Sequence, residues 1–510
     1  MLSSLIFIPL VGVVIIPFLR GYKAPAIAAF VVSLVAMIVS FQLLFSFDAS
    51  ADGFQFVENL PLLPDFAISY KLGLDGISYW MILLTTCLFP IVILASYSSI
   101  TDRASGYFIS LLILETGVIG AFVALDLVLF YIFWEIMLIP MFFIIGIWGG
   151  KDRVYATVKF VLFTMFGSLL MLVALIYVAY YAGGFDYELI LTKHLPVSVQ
   201  YWAFIAFGLA FIIKVPVFPF HTWLPDAHTE APAGGSVILA SLLLKLGIYG
   251  LLRFNLPLFP DAAEGLAPLM IILGVIGIIH GAMAAAVQPD MKRLIAYSSV
   301  SHMGFIILGL FTFTVSGIQG AMIQMVNHGI STGALFLLIG MIYDQTHTRK
   351  LSDYGGLAKV SPVFATVFLI SVLASVGLPG LNGFIGEYVI LISAFQVDWL
   401  LGSLAVIGVI LAAWYLLRLY NGIFFGPLKN SALEKVRDLN LREMVVLSPL
   451  VFFMFYIGVY PKPFFDAMST SIQTNVLDMM VSDLDDETEL FIPNGVINVE
   501  SPLVETEKST

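Results

Sequence analysis

Apolar runs of about 18 residues or more recur along nearly the whole of this 510-residue chain, and that pattern leaves few folds open. In hydrocarbon every backbone N–H and C=O must find a partner within the protein, and continuous runs of this length do so inside single helices. Composition agrees: with 60% hydrophobic and only 11% charged residues, the chain is no soluble enzyme. Windows of apolar residues predict an all-α polytopic membrane protein with about fourteen transmembrane helices. The first run lacks a basic n-region and a small-residue cleavage site, so it reads as a permanent helix and not a signal peptide.

The net charge of -11 does not point to nucleic acid, because much of the acid lies in the loop from Asp48 to Asp75 and in the tail SDLDDETELF, both read as solvated surface. A single cysteine, Cys87, excludes intrachain disulfides and a thiolate cage for zinc or iron–sulfur clusters. No metal and no cofactor is therefore expected in this chain.

Loops that face the cytoplasm should hold the Lys and Arg. Those after odd-numbered helices carry Arg20, Lys23, Arg103, Lys151, Arg153, Lys292, Arg293, Arg349, Lys350, Lys359, Lys429, Lys435, Arg437 and Arg442. Those after even-numbered helices carry Lys71 and Lys193, with Arg253 near one end. The alternation supports the helix count and places both termini on the outer face.

A weak internal repeat joins Gly167–Tyr177 to Gly333–Tyr343, and Tyr131 and Met137 to Tyr297 and Met303, each pair 166 positions apart. That offset spans five helices, an odd number, so the second copy enters the membrane from the opposite side, the inverted-repeat plan of many ion-coupled transporters. The expected organisation is an N-terminal part (1–106) with an acidic outer loop, two five-helix repeats (107–256 and 267–421), a loop and last helix (422–464) and an acidic polar tail (465–510). Matching broken helices are expected in the two repeats. KVPVFPFHTWLPDAH in helix seven has Pro216, Pro219 and Pro225, which lack backbone donors; ASVGLPGLNGFIGEY in helix twelve has Gly377, Pro379, Gly380 and Gly383. Unwound backbone at that depth must be buried in protein or face water.

Four ionisable side chains lie inside these apolar stretches: Glu135, Lys214, Lys245 and Glu387. Each costs roughly 2.5 to 3.5 kcal/mol at a bilayer centre, so together they cost on the order of 10 kcal/mol unless paired, neutralised or hydrated. Desolvation favours the neutral form of either group and a nearby opposite charge restores ionisation, so each can be switched by its neighbour. Glu135 and Lys214 form a candidate ion pair, with Lys245 as the next site, His302 and His328 as titrating links and Glu387 as the exit group. His221 and His228 flank the helix-seven break as relay members or loop anchors. Asp126 and Lys159, near helix ends, read as solvated or snorkelling. Glu115 falls mid-span without an assigned role.

The stretches FWEIMLIPMFFIIGIWGG, KVPVFPFHTWLPDAHTEAPAGGSVILASLLLKLGIYGLLRF, MKRLIAYSSVSHMGF and LPGLNGFIGEYVI resemble the antiporter-like proton-pumping subunits of respiratory complex I, NADH:quinone oxidoreductase. The resemblance covers roughly residues 60 to 465. It implies a fourteen-helix fold with inverted five-helix repeats, and a polar axis of Glu135, Lys214, Lys245 and Glu387 that moves protons in a bacterial inner membrane. It also implies that flavin, NADH and iron–sulfur chemistry sits in other subunits, with antiporter-like subunits L and N as neighbours. Those two typically carry lysine where this chain has Glu387, and subunit L continues into a long lateral helix. A subunit of a cation/proton antiporter or membrane-bound hydrogenase, or a non-conducting scaffold subunit, is the alternative.

Overall fold

The computed structural model describes residues 1–429 and 431–481. Among them twelve helices are long and apolar enough to cross a membrane, joined by three shorter apolar helices, Leu2–Phe18, Pro362–Val376 and Asn382–Val397. The chain is a polytopic helical bundle, as the apolar runs predict.

Aspartates set many of the helix starts. Asp75, Asp126, Asp290 and Asp398 each accept backbone N–H groups of the helix that follows, satisfying donors that have no partner within the helix. Asp126 is thus a buried cap, 1% exposed, which also accepts from Ser69 N at 3.0 Å. The solvated reading of this residue does not hold. Pro260–Ala286 starts seven residues before the 267 expected, because Pro260 occupies a first turn where its missing donor costs nothing.

Both expected interruptions are present. One helix stops at Lys214 and resumes as Trp223–Glu230. Pro216 and Pro219 have no N–H to give back to the turn before them, and the Trp223 indole donates instead to Ile213 O at 2.9 Å. The other interruption follows Val376, where Gly377 adopts φ 82° and lets Leu378 N return to Leu373 O at 3.0 Å. A Cβ at Gly377 would also stand 3.3 Å from Glu387 Oε2, so backbone conformation and close approach both ask for glycine.

Two regions depart from the sequence reading. The segment after Asp48 folds into an antiparallel hairpin, Gln55–Leu63 with Ile68–Leu74, which a purely helical reading missed. It is clamped to the bundle by Lys71, whose ammonium donates to Asp186 at 2.6 Å and Glu188 at 2.5 Å. Burial pushes the Lys71 ammonium towards its neutral form, but the hydrogen bonds and charges of those two carboxylates outweigh it and its pKa is raised. Asp75, read as loop acid, is fully buried. The first part of the expected polar tail is also ordered: Lys462–Ile472 is a helix whose continuation returns Ser471 and Asn475 to the start of Gly76–Ser96. The acidic SDLDDETELF stretch lies outside the described residues.

The N-terminal amine pairs with Glu58 at 2.6 Å and Thr470 donates to Ala49 O at 2.9 Å, so the two ends of the described chain meet at the hairpin face. At the centre of the bundle, Ala233–Leu258 is buried along its whole length. Two wide π-type turns, Leu239–Leu243 and Leu251–Asn255, flank Lys245 in this helix. Such turns recur at functional sites.

Candidate functional site

Lys245 is fully buried on this central helix. Its ammonium donates to Ala240 O, the carbonyl that the first wide turn leaves within reach, and lies 2.6 Å from His328 Nδ1. The His328 ring stands 5.5 Å from the His302 ring, centroid to centroid, and His302 Nδ1 lies 2.8 Å from Glu387 Oε1. Gln324 donates to the same carboxylate oxygen at 3.1 Å. A base, two imidazoles and an acid from four different helices thus form one series through the interior.

The series has one step without a hydrogen bond, between the two imidazoles. Their Nε2 atoms are buried and unpartnered, and they line a narrow gap with Gln324, Ser331, Ser375 and Gly383. Asn327 and Asn382 lock the second half of the broken helix beside it, Asn327 Nδ2 donating to Asn382 O at 2.7 Å and Asn382 Nδ2 to Asn327 O at 3.2 Å. The glycine break therefore delivers Glu387 to His302.

Glu135 and Lys214 are arranged differently. The candidate ion pair is not made: among the described residues no salt bridge joins Glu135 to Lys214. Lys214 Nζ instead sits 4.3 Å from the centroid of the Trp134 ring, and Glu135 Oε1 is buried without a partner. An indole face attracts a desolvated ammonium, which explains how the cation tolerates its position without contact with the acid.

His228 is fully buried, its ring stacked 4.7 Å from Phe336, with both nitrogens unpartnered. His221 leaves the axis: its Nε2 lies 3.2 Å from Nε2 of His280 on Pro260–Ala286. Lys159 does not snorkel but pairs with Asp226 at 2.7 Å, and Arg293 holds the other oxygen at 2.9 Å. Glu115 is fully buried and accepts from Ser33 at 2.9 Å.

Sequence reasoning missed Lys292, which it counted among the loop cations. The residue is 6% exposed and donates to Ala231 O. Nothing in MKRLIAYSSV distinguishes it from Arg293 beside it, since only the packing of the second half-helix decides which of the two turns inward. Gln324 and the Asn327–Asn382 pair were missed too; polar amides in an apolar run, on helices already known to carry His328 and Glu387, were the signal available.

The bundle with its interrupted helices and central file of ionisable groups defines an antiporter-like membrane subunit. Comparison with known proteins agrees. Residues 124–412 match the family described as NADH:quinone oxidoreductase/Mrp antiporter, TM, and the chain belongs to that family. Subunit M of the NADH-quinone oxidoreductase of Rhodobacter capsulatus is 43% identical over 491 residues, 92% of this chain and 95% of that protein. Chain 4 of the NADH-ubiquinone oxidoreductase of Arabidopsis thaliana is 43% identical over 478 residues, 93% of this chain and 97% of that protein. Within the larger family the chain is therefore a member of the subunit M, or chain 4, group of NADH-quinone oxidoreductase. A chain of respiratory complex I from Thermus thermophilus with bound NADH superposes with a TM-score of 0.86 at 31% identity, over 94% of this chain and all of that one. A chain of the Mrp complex from Dietzia superposes with a TM-score of 0.82 at 20% identity, over 94% of this chain and 99% of that one, a likeness of fold alone.

Proposed function

We propose that this chain is the proton-translocating membrane subunit of an NADH:quinone oxidoreductase, moving protons along Lys245, His328, His302 and Glu387 when electron transfer in other subunits drives it. The observation that carries the reading is the file itself: two hydrogen-bonded pairs of titratable groups facing each other across one imidazole–imidazole gap, buried in a bundle where unpaired charge is costly. Each member can both accept and donate a proton, and imidazole does so in the range a relay needs.

Glu135 and Lys214 form the input side of the same axis. Moving the ammonium off Trp134 and towards the carboxylate changes the charge that Lys245 meets, and so sets when Lys245 passes its proton on. In this reading the chain spans a bacterial inner membrane fourteen times, ten of its helices forming two inverted five-helix repeats. The face bearing the termini and the hairpin turns outward, antiporter-like subunits L and N are the neighbours, and redox centres lie elsewhere in the complex.

The test is NADH-driven proton uptake by the purified complex in liposomes. Glu387→Gln keeps a hydrogen-bonding side chain for His302 but removes the acid; proton uptake per NADH should fall while the complex remains assembled. Glu135→Gln and Lys214→Ala should do the same. Undiminished uptake in all three would leave a scaffold role, and sodium exchange uncoupled from NADH oxidation would mark a cation/proton antiporter instead.

A further inference from the structure

A second polar line begins one turn along the helix from Lys245. Tyr249 and Arg253 follow it at successive turns of the same helix, and all three side chains are at most 1% exposed. From Tyr249 onward the contacts are continuous. Its hydroxyl lies 3.2 Å from Ser78 Oγ, donates to Phe122 O at 2.9 Å and accepts from Arg253 Nε at 3.3 Å. Arg253 in turn donates to Asp75 and, at 3.4 Å, to Ser78 Oγ. This line runs towards the hairpin face, and hydroxyls that both donate and accept a hydrogen bond can continue a proton wire. Left open, it would drain Lys245 directly and bypass His328 and Glu387.

What ends the line is a charge that cannot be neutralised. A guanidinium has no acceptor and does not give up its proton, so it repels an incoming proton and offers it nowhere to bind, as arginine does in pores that exclude protons. Arg253 is fully buried beneath Phe54, Tyr187 and Tyr249, whose ring centroids lie 5.0, 6.0 and 5.5 Å from its Cζ. Asp75 fixes it, being itself held as the cap of Gly76–Ser96 and by Asn475 at 2.9 Å. Its Nη1 has no hydrogen-bond partner. A plain buried ion pair is seldom worth more than an apolar pair of the same volume, so stability alone gives little reason for it.

We propose that the Asp75–Arg253 pair, with Asn475 as its positioning residue, is a proton plug that closes the hairpin-face end of the central helix. It confines the protons of Lys245 to the lateral route through His328. This rests on the reading that Lys245 carries protons.

The experiment uses the whole complex in liposomes with NADH withheld, an imposed pH gradient and a trapped pH dye, after assembly has been checked on a native gel. Arg253→Gln combined with Asp75→Asn removes both charges together and leaves neither partner as a lone buried ion. The expected result is passive proton entry about ten-fold faster than in the unmodified complex, falling back when Lys245→Ala is added. Asn475→Ala, which leaves both charges in place and removes only the hydrogen bond to Asp75, should leak about two-fold faster if the double variant does not assemble. Assembled variants that stay tight overturn the plug. So does a leak that persists undiminished with Lys245→Ala, since that would be general loosening. Lys245→Ala on its own separates the two readings: lost NADH-driven uptake with tight plug variants sinks the plug alone, whereas normal uptake sinks the proton-carrying role of Lys245.

Discussion

Around the Val197–Lys214 helix, the lysine rests on an indole and the glutamate one helix away keeps an oxygen without a partner. Around the Ala233–Leu258 helix, lysine, two imidazoles and a glutamate form two hydrogen-bonded pairs that face each other across one gap. Both regions place a buried lysine and a glutamate beside a broken helix, yet one is a pair held apart and the other a file nearly closed. In the proposed relay the difference assigns the moving part: the file would pass a proton by small rotations of two rings, whereas the separated pair would have to move an ammonium off an aromatic face before the charges meet.

The largest effect that could break this comparison is in the file. Lys245→Ala removes the group that admits protons to the second region in the proposed relay, and proton uptake per NADH in the reconstituted complex should fall at least about twenty-fold. If it falls only as far as in Lys214→Ala, the two regions are equivalent and the contrast is empty. Next is Trp134→Leu. A cation–π contact is worth about 1 kcal/mol, so its loss should lower uptake by about five-fold while electron transfer to quinone persists, with Trp134→Phe intermediate. An unchanged rate would mean that the indole is only packing. Gly377→Ala sharpens the role of the second break: left-handed φ and contact with Glu387 together cost about 1 to 3 kcal/mol, which should appear as a lower melting temperature of the assembled complex.

The smallest effect lies outside the membrane spans. Lys71→Met unclamps the hairpin from Asp186 and Glu188; these partners are 26% and 50% exposed, so solvent screens the pair and the loss should be about 1 kcal/mol or less. Because the folded-state pKa of Lys71 is raised, its contribution is fully present below the pKa of an unfolded lysine and is lost as pH rises through the folded value. The difference in melting temperature between Lys71→Met and the unmodified protein should accordingly hold through neutral pH and vanish only in strong alkali.

The helices and both breaks were legible in the sequence because each follows from a local rule: length of an apolar run, a missing proline donor, a glycine at positive φ. Lys245, His302, His328 and Glu387 were legible because a charge in hydrocarbon is conspicuous by its cost. The Glu135–Lys214 contact was misjudged because charge complementarity predicts attraction but says nothing of the aromatic neighbour that can satisfy a lysine alone. Asp75 and Lys292 were hidden for a related reason. Each stands at the edge of an apolar run, where a charge costs little by default, and only the ordered segment Lys462–Val481 in one case and the half-helix Trp223–Glu230 in the other close over it. The hairpin escaped because its strands are short and irregularly patterned, with Pro61 and a register shift beside it.

The burial of Ala233–Leu258 along its full length bears on how the molecule is made. A segment carrying Lys245 and Arg253 pays heavily to face acyl chains alone, and its shielding partners include Val315–Thr346, synthesised long after it, where Gly329 O receives the Ser241 hydroxyl. The nascent segment must therefore be sheltered at the insertion machinery until those later helices emerge. Its release into lipid is a late event of biogenesis, set by the arrival of sequence more than seventy residues downstream.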